Sequence, residues 1–320
     1  MNSATLSLKE QVLGGLWGAL IGDALGVPVE FKDRAAVQAN PVKDFRGFGT
    51  HHQPPGTWSD DGALLLCTVD GLLNHEFSTE DIGKRFVRWM NEGLWTANGD
   101  VFDIGMATTS ALCRIARGAP ADQAGCTDEQ SNGNGSLMRI LPVVLRFGNE
   151  SRDTFADRIE RASSITHAHA QSRMACVFYG LLIRHLLSDV YARPALNAAR
   201  AEFRAHYESA PEFARFQKFF SDDFAALPET EIVSTGYVLH TLHASIWCLM
   251  TTKNFRDCVL RAVNLGGDTD TTGCVAGGLA GVLYGLQAIP TEWRTGLARS
   301  KDIEQLFEAF ANKLARKERE

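Results

Sequence analysis

Apolar side chains recur along most of this chain at intervals of three and four residues, which is the period of an α-helix with one buried face. The spacing is clear within residues 86–90 and again within 181–186. Further helices are predicted at about 103–117, 152–165, 170–188, 193–208, 236–250, 255–264, 271–286 and 302–317. Alternation with a period of two, which marks a half-buried strand, is almost absent. The pattern therefore predicts an all-α fold, a compact bundle of ten or more helices.

The first predicted helix is unusual because glycine occurs along it at spacings of about four residues. The glycines are Gly14, Gly15, Gly18, Gly22 and Gly26. A glycine inside a helix costs about 1 kcal/mol relative to alanine, so this strip needs a compensating contact. Close approach of the backbone of a second helix, or of a ligand, would supply that contact. The apolar stretch 12–29 is interrupted by these glycines and by Asp23, and we expect it not to span a membrane.

The chain has no linker rich in proline, serine or glycine, and we expect one domain over residues 1–320. Hydrophobic residues make up 45% of the sequence, which is enough to bury a sizeable core. The stretch from about 189 to 232 is charged and contains no motif, so it is predicted to be a peripheral insertion.

The net charge and the cysteines indicate which partners and which cellular compartment to expect. The formal net charge is −6 and the isoelectric point about 5.9, which argues against a nucleic-acid partner because phosphate contacts need clustered lysine and arginine. The seven cysteines lie between Cys67 and Cys274 and form no CxxC pair, as is typical of a reducing compartment. Residues 1–10 are polar and lack the apolar core of a signal peptide. We expect a cytoplasmic protein with no membrane partner.

Two short acidic motifs, at 56–62 and 266–273, each read as a loop that enters a helix. Carboxylates suit the positive end of a helix dipole, and Ser59 and Asp268 are plausible N-caps. For either motif alone, capping explains the residues as well as a functional site does. A cap needs one carboxylate or hydroxyl, however, and each motif has two carboxylates plus hydroxyls.

The four motif carboxylates would form a cation site if the two loops met. They are Asp60, Asp61, Asp268 and Asp270. Like charges at close range raise each other's pKa values or demand cations. Carboxylate and hydroxyl oxygens are hard ligands, which select Mg²⁺, Mn²⁺ or Ca²⁺ over zinc. The residues by themselves leave open whether the loops meet.

With these motifs in hand, the chain resembles the ADP-ribosylglycohydrolase family from Gly15 to Leu286. The likeness rests on six segments in the same order: 18–26 with Glu30 beyond it, 58–61, 103–105, 132–139, 166–167 and 266–273. One such segment would be weak, whereas six in order are specific. The resemblance implies an orthogonal helical bundle with two Mg²⁺ or Mn²⁺ ions in a cleft, so that the two acidic loops would meet.

The resemblance also implies roles for individual residues. The implied metal ligands are Ser59, Asp60, Asp61, Asp268, Asp270 and Thr271. Glu30 and Asp103 are implied to assist proton transfer, and which of them is the base stays open. Without the resemblance, Glu30 would be interpreted as a solvated turn residue. Asp103 is also expected to be the N-cap of the helix that follows it.

A third set of residues is implied to bind substrate. It comprises Asn132, Asn134, Gly135, Ser136, Met138 and His167. The run 132–139 could be a flexible loop, or its backbone amides could form a bed for a phosphate or ribose at a helix N-terminus. His167 could be an ordinary surface histidine, whereas the resemblance places it at the diphosphate or adenosine part of ADP-ribose.

The function implied is hydrolysis of the N-glycosidic bond between ADP-ribose and a modified protein side chain, with arginine favoured. Such bonds break through an oxocarbenium-like state, and ADP-ribose is the product. Serine-linked ADP-ribose or a small ADP-ribose ester is an alternative substrate. A binding or immunity protein that blocks an ADP-ribosyltransferase by contact is an alternative of another class, and a cognate transferase would then be its partner. The presence of every implied metal ligand favours the enzyme.

Overall fold

The computed structural model describes residues 6–74, 76–188 and 191–317, and regular structure within these ranges is helical, with no strand. The α-helices are α1 Leu8–Gly26, α2 Arg34–Ala39, α3 Asp60–Asn74, α4 Thr79–Glu92, α5 Met106–Ala116, α6 Leu141–Phe147, α7 Arg152–Ser164, α8 Ala170–Leu186, α9 Ala192–Tyr207, α10 Val238–Thr251, α11 Phe255–Val263, α12 Thr269–Tyr284, α13 Thr291–Gly296 and α14 Ser300–Lys317. Short 3₁₀ segments join several of them. The all-α prediction is confirmed. Residues 1–5 and 189–190, which belong to the predicted polar N-terminus and the predicted insertion, lie outside the described ranges.

The predicted helices are present, with ends that differ by at most three residues from those expected. The largest difference is at α5, which begins at Met106 and not at residue 103. Gly105 is extended there and forms the N-cap. The short helices α2, α6 and α13 have six or seven residues each, which is too short for a helical period to show in the sequence.

Helices α1 and α12 pack backbone against backbone along two strips of glycine. A Cβ atom built on Gly18 would lie 2.2 Å from the carbonyl oxygen of Gly277, and one on Gly22 would lie 2.0 Å from that of Gly273. Only glycine, which has no Cβ atom, permits this approach. The close packing of the two helices therefore offsets the stability that each helix loses by containing glycine. The expectation that the strip in the first helix accommodates a second backbone is confirmed.

The glycine contact also fixes where α12 begins. A Cβ atom on Gly26, the last residue of α1, would lie 2.4 Å from the Cα atom of Asp270. The C-terminal end of α1 therefore holds the first turn of α12, together with its acidic residues, at a set position in the fold.

Leu8–Val29 is long and apolar enough, by length and composition, to cross a membrane, but its most apolar 18-residue window is buried inside the fold. Core helices of globular proteins pass the same test. One continuous hydrophobic core, from Val12 to Leu314, surrounds it.

The predicted insertion is attached to the rest of the fold by aromatic contacts. Phe203 of α9 and Phe219 of the following 3₁₀ segment each lie with their ring centroids 5.1 Å from that of Phe178 in α8. Phe216 lies 5.0 Å from Phe203. These buried rings make residues 192–226 a packed layer over α8.

Candidate active site

A cavity of about 420 Å³ lies where the starts of α3, α5 and α12 converge. Carboxylates and a run of small polar residues line it, and neither lysine nor arginine is among the described residues that do so. The residues that line it include Glu30, Phe31, Asp60, Asp61, Asp103, Asn134, Gly135, Met138, His167, Asp268 and Thr271.

The first acidic loop is held by a carboxylate that sequence reasoning did not assign to the site. Asp23, buried in α1, accepts hydrogen bonds from the backbone N–H of Ser59 at 3.0 Å and of Gly62 at 2.7 Å. The Ser59 hydroxyl donates to the same carboxylate at 3.0 Å and accepts from the Asp61 N–H at 3.2 Å, as an N-cap does. These bonds provide acceptors for backbone N–H groups at the start of α3. The carboxylates of Asp60 and Asp61 are therefore not needed as helix caps.

The second acidic loop is built on two glycines with left-handed backbone. Gly266 and Gly267 have φ angles of 77° and 73°, which other residues rarely adopt. Gly267 exchanges backbone hydrogen bonds with the turn after Glu30, donating to the Lys32 carbonyl at 2.8 Å and accepting from the Phe31 N–H at 2.7 Å. The loop therefore brings its aspartates to the same place as Glu30.

The N-cap position predicted for Asp268 at α12 is confirmed, but a capping hydrogen bond from its side chain is absent. Its Oδ2 atom accepts from the Asn134 side-chain amide at 2.9 Å, and its Oδ1 atom has no partner among the described residues. The Asp268 carboxylate is therefore held in one orientation, with one of its two oxygens lacking a hydrogen-bond donor.

The two acidic loops meet. The Thr271 hydroxyl donates to Oδ1 of Asp61 at 3.3 Å, and carboxylate oxygens of Glu30, Asp268 and Asp270 lie within 4.8 Å of one another. Burial, reinforced by the neighbouring carboxylates, raises the pKa values of Asp61 and Asp270 well above the ordinary value. The cluster therefore cannot carry all its negative charges without a nearby cation.

The donor set fits a hard divalent cation. Asp61 Oδ2, Asp268 Oδ1 and Asp270 Oδ2 are buried oxygens without a hydrogen-bond partner among the described residues. Unsatisfied buried carboxylate oxygens are costly unless an ion binds them. The cluster could therefore hold a metal. Of the six implied ligands, Asp60, Asp61, Asp268 and Thr271 line the cavity, while Ser59 and Asp270 are buried directly behind it.

Glu30 and Asp103 face the same cavity from separate loops. Glu30 is only 3% exposed, so it is not a solvated turn residue, and burial followed by the charge of Asp103 raises its pKa to about 10. Asp103 has a left-handed backbone with φ of 61° and lies before the N-cap Gly105. The prediction that Asp103 caps α5 is therefore wrong. Burial also raises the pKa of Asp103.

His51 joins these two carboxylates, and sequence reasoning missed it. Its Nε2 atom lies 2.5 Å from Glu30 Oε2 and 3.9 Å from Asp103 Oδ1. The preceding Thr50 donates its hydroxyl hydrogen to the Glu30 carbonyl at 2.7 Å, which ties the loop to the turn that carries Glu30. His51 belongs to none of the motifs, so the sequence held no signal for it. Asp23 did have a signal, since it is a carboxylate inside an otherwise apolar, buried helix.

The predicted substrate-binding residues divide into two groups. Asn134, Gly135, Met138 and His167 line the cavity. The Asn134 amide donates both to Asp268 and, at 2.8 Å, to the Thr241 hydroxyl, so its hydrogens are committed to orienting the site. A Cβ atom on Gly135 would lie 2.7 Å from Cε1 of His167, so glycine is required for this imidazole to face the cavity.

Asn132 and Ser136 are buried behind the cavity wall. The side chain of Asn132 accepts from the Ser172 hydroxyl at 3.0 Å. Ser136 accepts from the Ser163 hydroxyl at 2.9 Å, and Ser163 in turn lies 2.9 Å from the backbone carbonyl of His167. The side chains of Asn132 and Ser136 therefore hold the wall and do not line the cavity.

Fold and site together define an all-helical protein whose acidic, metal-competent cavity lies at the start of several helices. The family model described as ADP-ribosylglycohydrolase matches residues 4–320. The chain therefore belongs to the ADP-ribosylglycohydrolase family, and it is a hydrolase of that family. The resemblance that its sequence motifs indicated is confirmed.

Relatives and a solved structure agree with this assignment. The chain is 31% identical over 300 residues to an ADP-ribosylarginine hydrolase, Tri1, of Serratia proteamaculans, covering 93% of this chain and 78% of that protein. It is 28% identical to an ADP-ribosyl-[dinitrogen reductase] glycohydrolase of Rhodospirillum rubrum, covering 91% of each chain. A solved structure described as an ADP-ribosylglycohydrolase-related protein complex superposes with a TM-score of 0.76 at 30% identity, covering 95% of this chain and 98% of that one.

Proposed function

We propose that this chain hydrolyses the N-glycosidic bond between ADP-ribose and the side chain of a modified protein, most favourably arginine, in a metal-dependent reaction. The observation that carries the proposal is the meeting of two acidic loops, with unpartnered buried oxygens, beside a cavity lined by Glu30 and Asp103. The names of the relatives from Serratia proteamaculans and Rhodospirillum rubrum support ADP-ribose as the group released.

The proposed cofactors are two Mg²⁺ or Mn²⁺ ions. Their proposed ligands are Ser59, Asp60, Asp61, Asp268, Asp270 and Thr271. Bound there, the ions would supply Lewis acidity and a template for ribose hydroxyls and water. The Ser59 hydroxyl retains one lone pair after its bonds to Asp23 and Asp61, so ligation is compatible with its capping role.

The protein side chains supply the proton transfer. In the proposal, Glu30 or Asp103 accepts a proton from the attacking water, because both carboxylates face the cavity and neither belongs to the proposed ligand set. His51 holds the Glu30 carboxylate through its Nε2 contact. Burial raises the pKa of Glu30 to about 10, so its carboxyl group holds a proton in the metal-free protein. A divalent cation on the adjacent ligands would lower that pKa and leave the carboxylate able to accept a proton.

The adjoining wall of the cavity is the proposed binding surface for the ADP part of the substrate. Gly133 and Gly135 leave space in front of His167, and Met138 provides an apolar contact. Free ADP-ribose is then expected to bind as the product. The partner is the ADP-ribosylated protein. All seven cysteines are unpaired, which supports the further proposal of a reducing, cytoplasmic location.

The test compares substrates that differ only in linkage. Purified protein is incubated with arginine-linked and with serine-linked ADP-ribosylated protein, and free ADP-ribose is quantified. Asp60→Asn provides the matched site variant, and Arg152→Gln, at the exposed start of α7 and outside the cavity lining, provides a control. Release from the arginine-linked substrate alone, lost in Asp60→Asn, is the expected result. Release from the serine-linked substrate alone would overturn the arginine assignment, and release from neither would favour a binding protein.

A further inference from the structure

The imidazole of His167 bridges the cavity and the protein interior. Its Nδ1 atom lies 2.9 Å from the Thr166 hydroxyl. Its Nε2 atom faces the space left by Gly133 and Gly135, where added Cβ atoms would lie 3.4 Å and 3.3 Å from it. The structure gives Nε2 no hydrogen-bond partner among the described residues, so this atom is available to a ligand.

A buried arginine lies behind this pair. Arg139 is fully buried, and its Nη2 atom donates to the Thr166 hydroxyl at 2.8 Å while Nη1 donates to the Ala162 carbonyl at 3.2 Å. The guanidinium lies 4.7 Å from the ring centroid of Phe86, and no carboxylate within the described ranges pairs with it. Burial lowers the pKa of Arg139 to about 10, so it stays charged at neutral pH.

The direction of each hydrogen bond in this chain follows from the chemistry of its members. A guanidinium can only donate, so the Thr166 oxygen accepts from Arg139. If His167 Nδ1 carried a proton as well, the Thr166 oxygen would accept twice and its own hydrogen would be buried without an acceptor, which is unfavourable. The Thr166 hydroxyl therefore donates to Nδ1, and a neutral imidazole with Nδ1 accepting carries its proton on Nε2.

We propose that Arg139, acting through Thr166, fixes the tautomer of His167 so that its Nε2–H donor faces the part of the cavity that the proposed function assigns to the ADP group. The inference rests on the proposed function for the identity of the ligand. Arg139 and Thr166 are positioning residues, since neither lines the cavity. The uncompensated charge of Arg139, one hydrogen-bonded residue behind His167, adds attraction for an anion in a site of low dielectric.

A second property of His167 agrees with this arrangement. Burial, followed by the charge of Arg139, lowers the pKa of His167 to about 3. The imidazole is therefore neutral throughout the range in which enzymes are usually assayed. A neutral histidine has one donor and one acceptor nitrogen, so the relay decides which of the two the ligand meets.

The tautomer is read directly by nitrogen NMR of protein labelled with ¹⁵N-histidine, with His167 assigned from the His167→Gln variant. The wild-type spectrum is expected to show the Nε2–H tautomer, unchanged between pH 5 and 8. Thr166→Val, which removes the hydroxyl without changing the shape, is expected to give a mixture of tautomers, and Thr166→Ser is expected to restore one. An Nδ1–H tautomer or an imidazolium in the wild type would overturn the relay.

Calorimetry with ADP-ribose tests the consequence for binding. Thr166→Val is expected to weaken binding by about threefold to tenfold, as for loss of one oriented hydrogen bond, with Thr166→Ser close to wild type. In a His167→Ala background, Thr166→Val should have no further effect, because Thr166 acts only through the imidazole. Thr68→Val, the same change at a fully buried threonine in α3, is the control.

The outcomes separate the two proposals. Additive losses from Thr166→Val and His167→Ala would show a merely structural role and overturn the relay. A wild-type protein that does not bind ADP-ribose at all would overturn the proposed ligand, while the NMR result would still decide the tautomer.

Discussion

A single imidazole connects the two carboxylates that are candidates for proton transfer. His51 contacts Glu30 at 2.5 Å and lies 3.9 Å from Asp103, and the ring of Phe102 lies 5.1 Å from its own ring. The short contact between His51 Nε2 and Glu30 Oε2 fixes where the Glu30 carboxyl group points. Orientation of the base is a condition for proton transfer in the reaction.

Removal of the His51 imidazole is expected to lower turnover more than binding. His51→Ala should reduce kcat by about 10-fold to 100-fold, because the hydrogen bond that orients Glu30 beside Asp103 is lost, and should change ADP-ribose affinity little. His51→Gln retains a side-chain donor and should recover part of the loss. Steady-state kinetics on the single variants and on Glu30→Gln/His51→Ala measure the coupling. Full additivity in that cycle would show that His51 does not act through Glu30.

Asp103 provides the test of which carboxylate is the base. Asp103→Asn keeps the size of the side chain and removes its basicity, and it should lower kcat by about 100-fold or more. Metal binding, followed as the shift in melting temperature on addition of Mn²⁺, should persist because Asp103 is outside the proposed ligand set. Near-normal turnover of Asp103→Asn would assign the base to Glu30.

At the scale of helices, the contact between α1 and α12 determines the geometry of the site. Gly273, Gly277 and Gly281 of α12 each face a glycine carbonyl of α1, with Cβ positions 2.0–2.4 Å from those oxygens. The first turn of α12 carries Asp270 and Thr271, so any separation of the two helices displaces proposed metal ligands. Stability and site geometry therefore depend on the same interface.

Gly277→Ala tests this interface. The added methyl group would lie 2.0 Å from the Gly18 carbonyl oxygen, so the helices must separate. The free energy of unfolding is expected to fall by about 1–3 kcal/mol, as in other overpacked cores, and Mn²⁺ affinity should fall with it. Gly148→Ala is the control, since Gly148 has an ordinary helical backbone with φ of −56°. Denaturant unfolding of both variants measures the free energy of unfolding. Equal values for Gly277→Ala and the wild type would contradict the inference that α1 and α12 need glycine to pack.

The same helices show what the sequence could predict and where it stopped. The strip Gly14–Gly26 predicted a close approach but not its partner, because pairing between segments over 240 residues apart leaves no periodic signal. Asp60 and Asp268 were found through their motifs. His51 was not, because its role comes only from the fold of its loop onto Glu30. The cap predicted for Asp103 failed because its left-handed backbone begins the turn two residues before the helix N-cap.

For the whole molecule, the buried carboxylates make metal-free stability depend on pH. Burial raises the pKa of Asp23 to about 7, and that of Glu30 to about 10, so the native state holds protons that the unfolded chain releases. Stability from these groups is present at low pH and is lost as the pH rises through those values. Both pH 5.5 and pH 8 lie above the range of ordinary acid denaturation. In chelator, the melting temperature should therefore be lower at pH 8 than at pH 5.5.

Divalent metal should reduce this pH dependence, because its positive charge lowers the pKa values of the neighbouring Glu30 carboxyl group and of the proposed ligands. At a hundredfold excess over the dissociation constant, metal should stabilise the native state by about 2.7 kcal/mol per site. Differential scanning calorimetry at the two pH values, with chelator or Mn²⁺, measures both effects. Melting temperatures that rise from pH 5.5 to 8 in chelator would contradict the raised pKa values.

The most direct test of the central claim, that the joined acidic loops hold the metal on which hydrolysis depends, is a titration of activity with metal. Chelator-treated protein is mixed with arginine-ADP-ribosylated protein, Mn²⁺ is added in steps, and free ADP-ribose is quantified at each step. We expect no release before Mn²⁺ is added, release that rises to a plateau, and no recovery at the same concentrations in Asp270→Asn. Release that continues in chelator, or that Asp270→Asn regains with the wild-type dependence on Mn²⁺, would contradict the account.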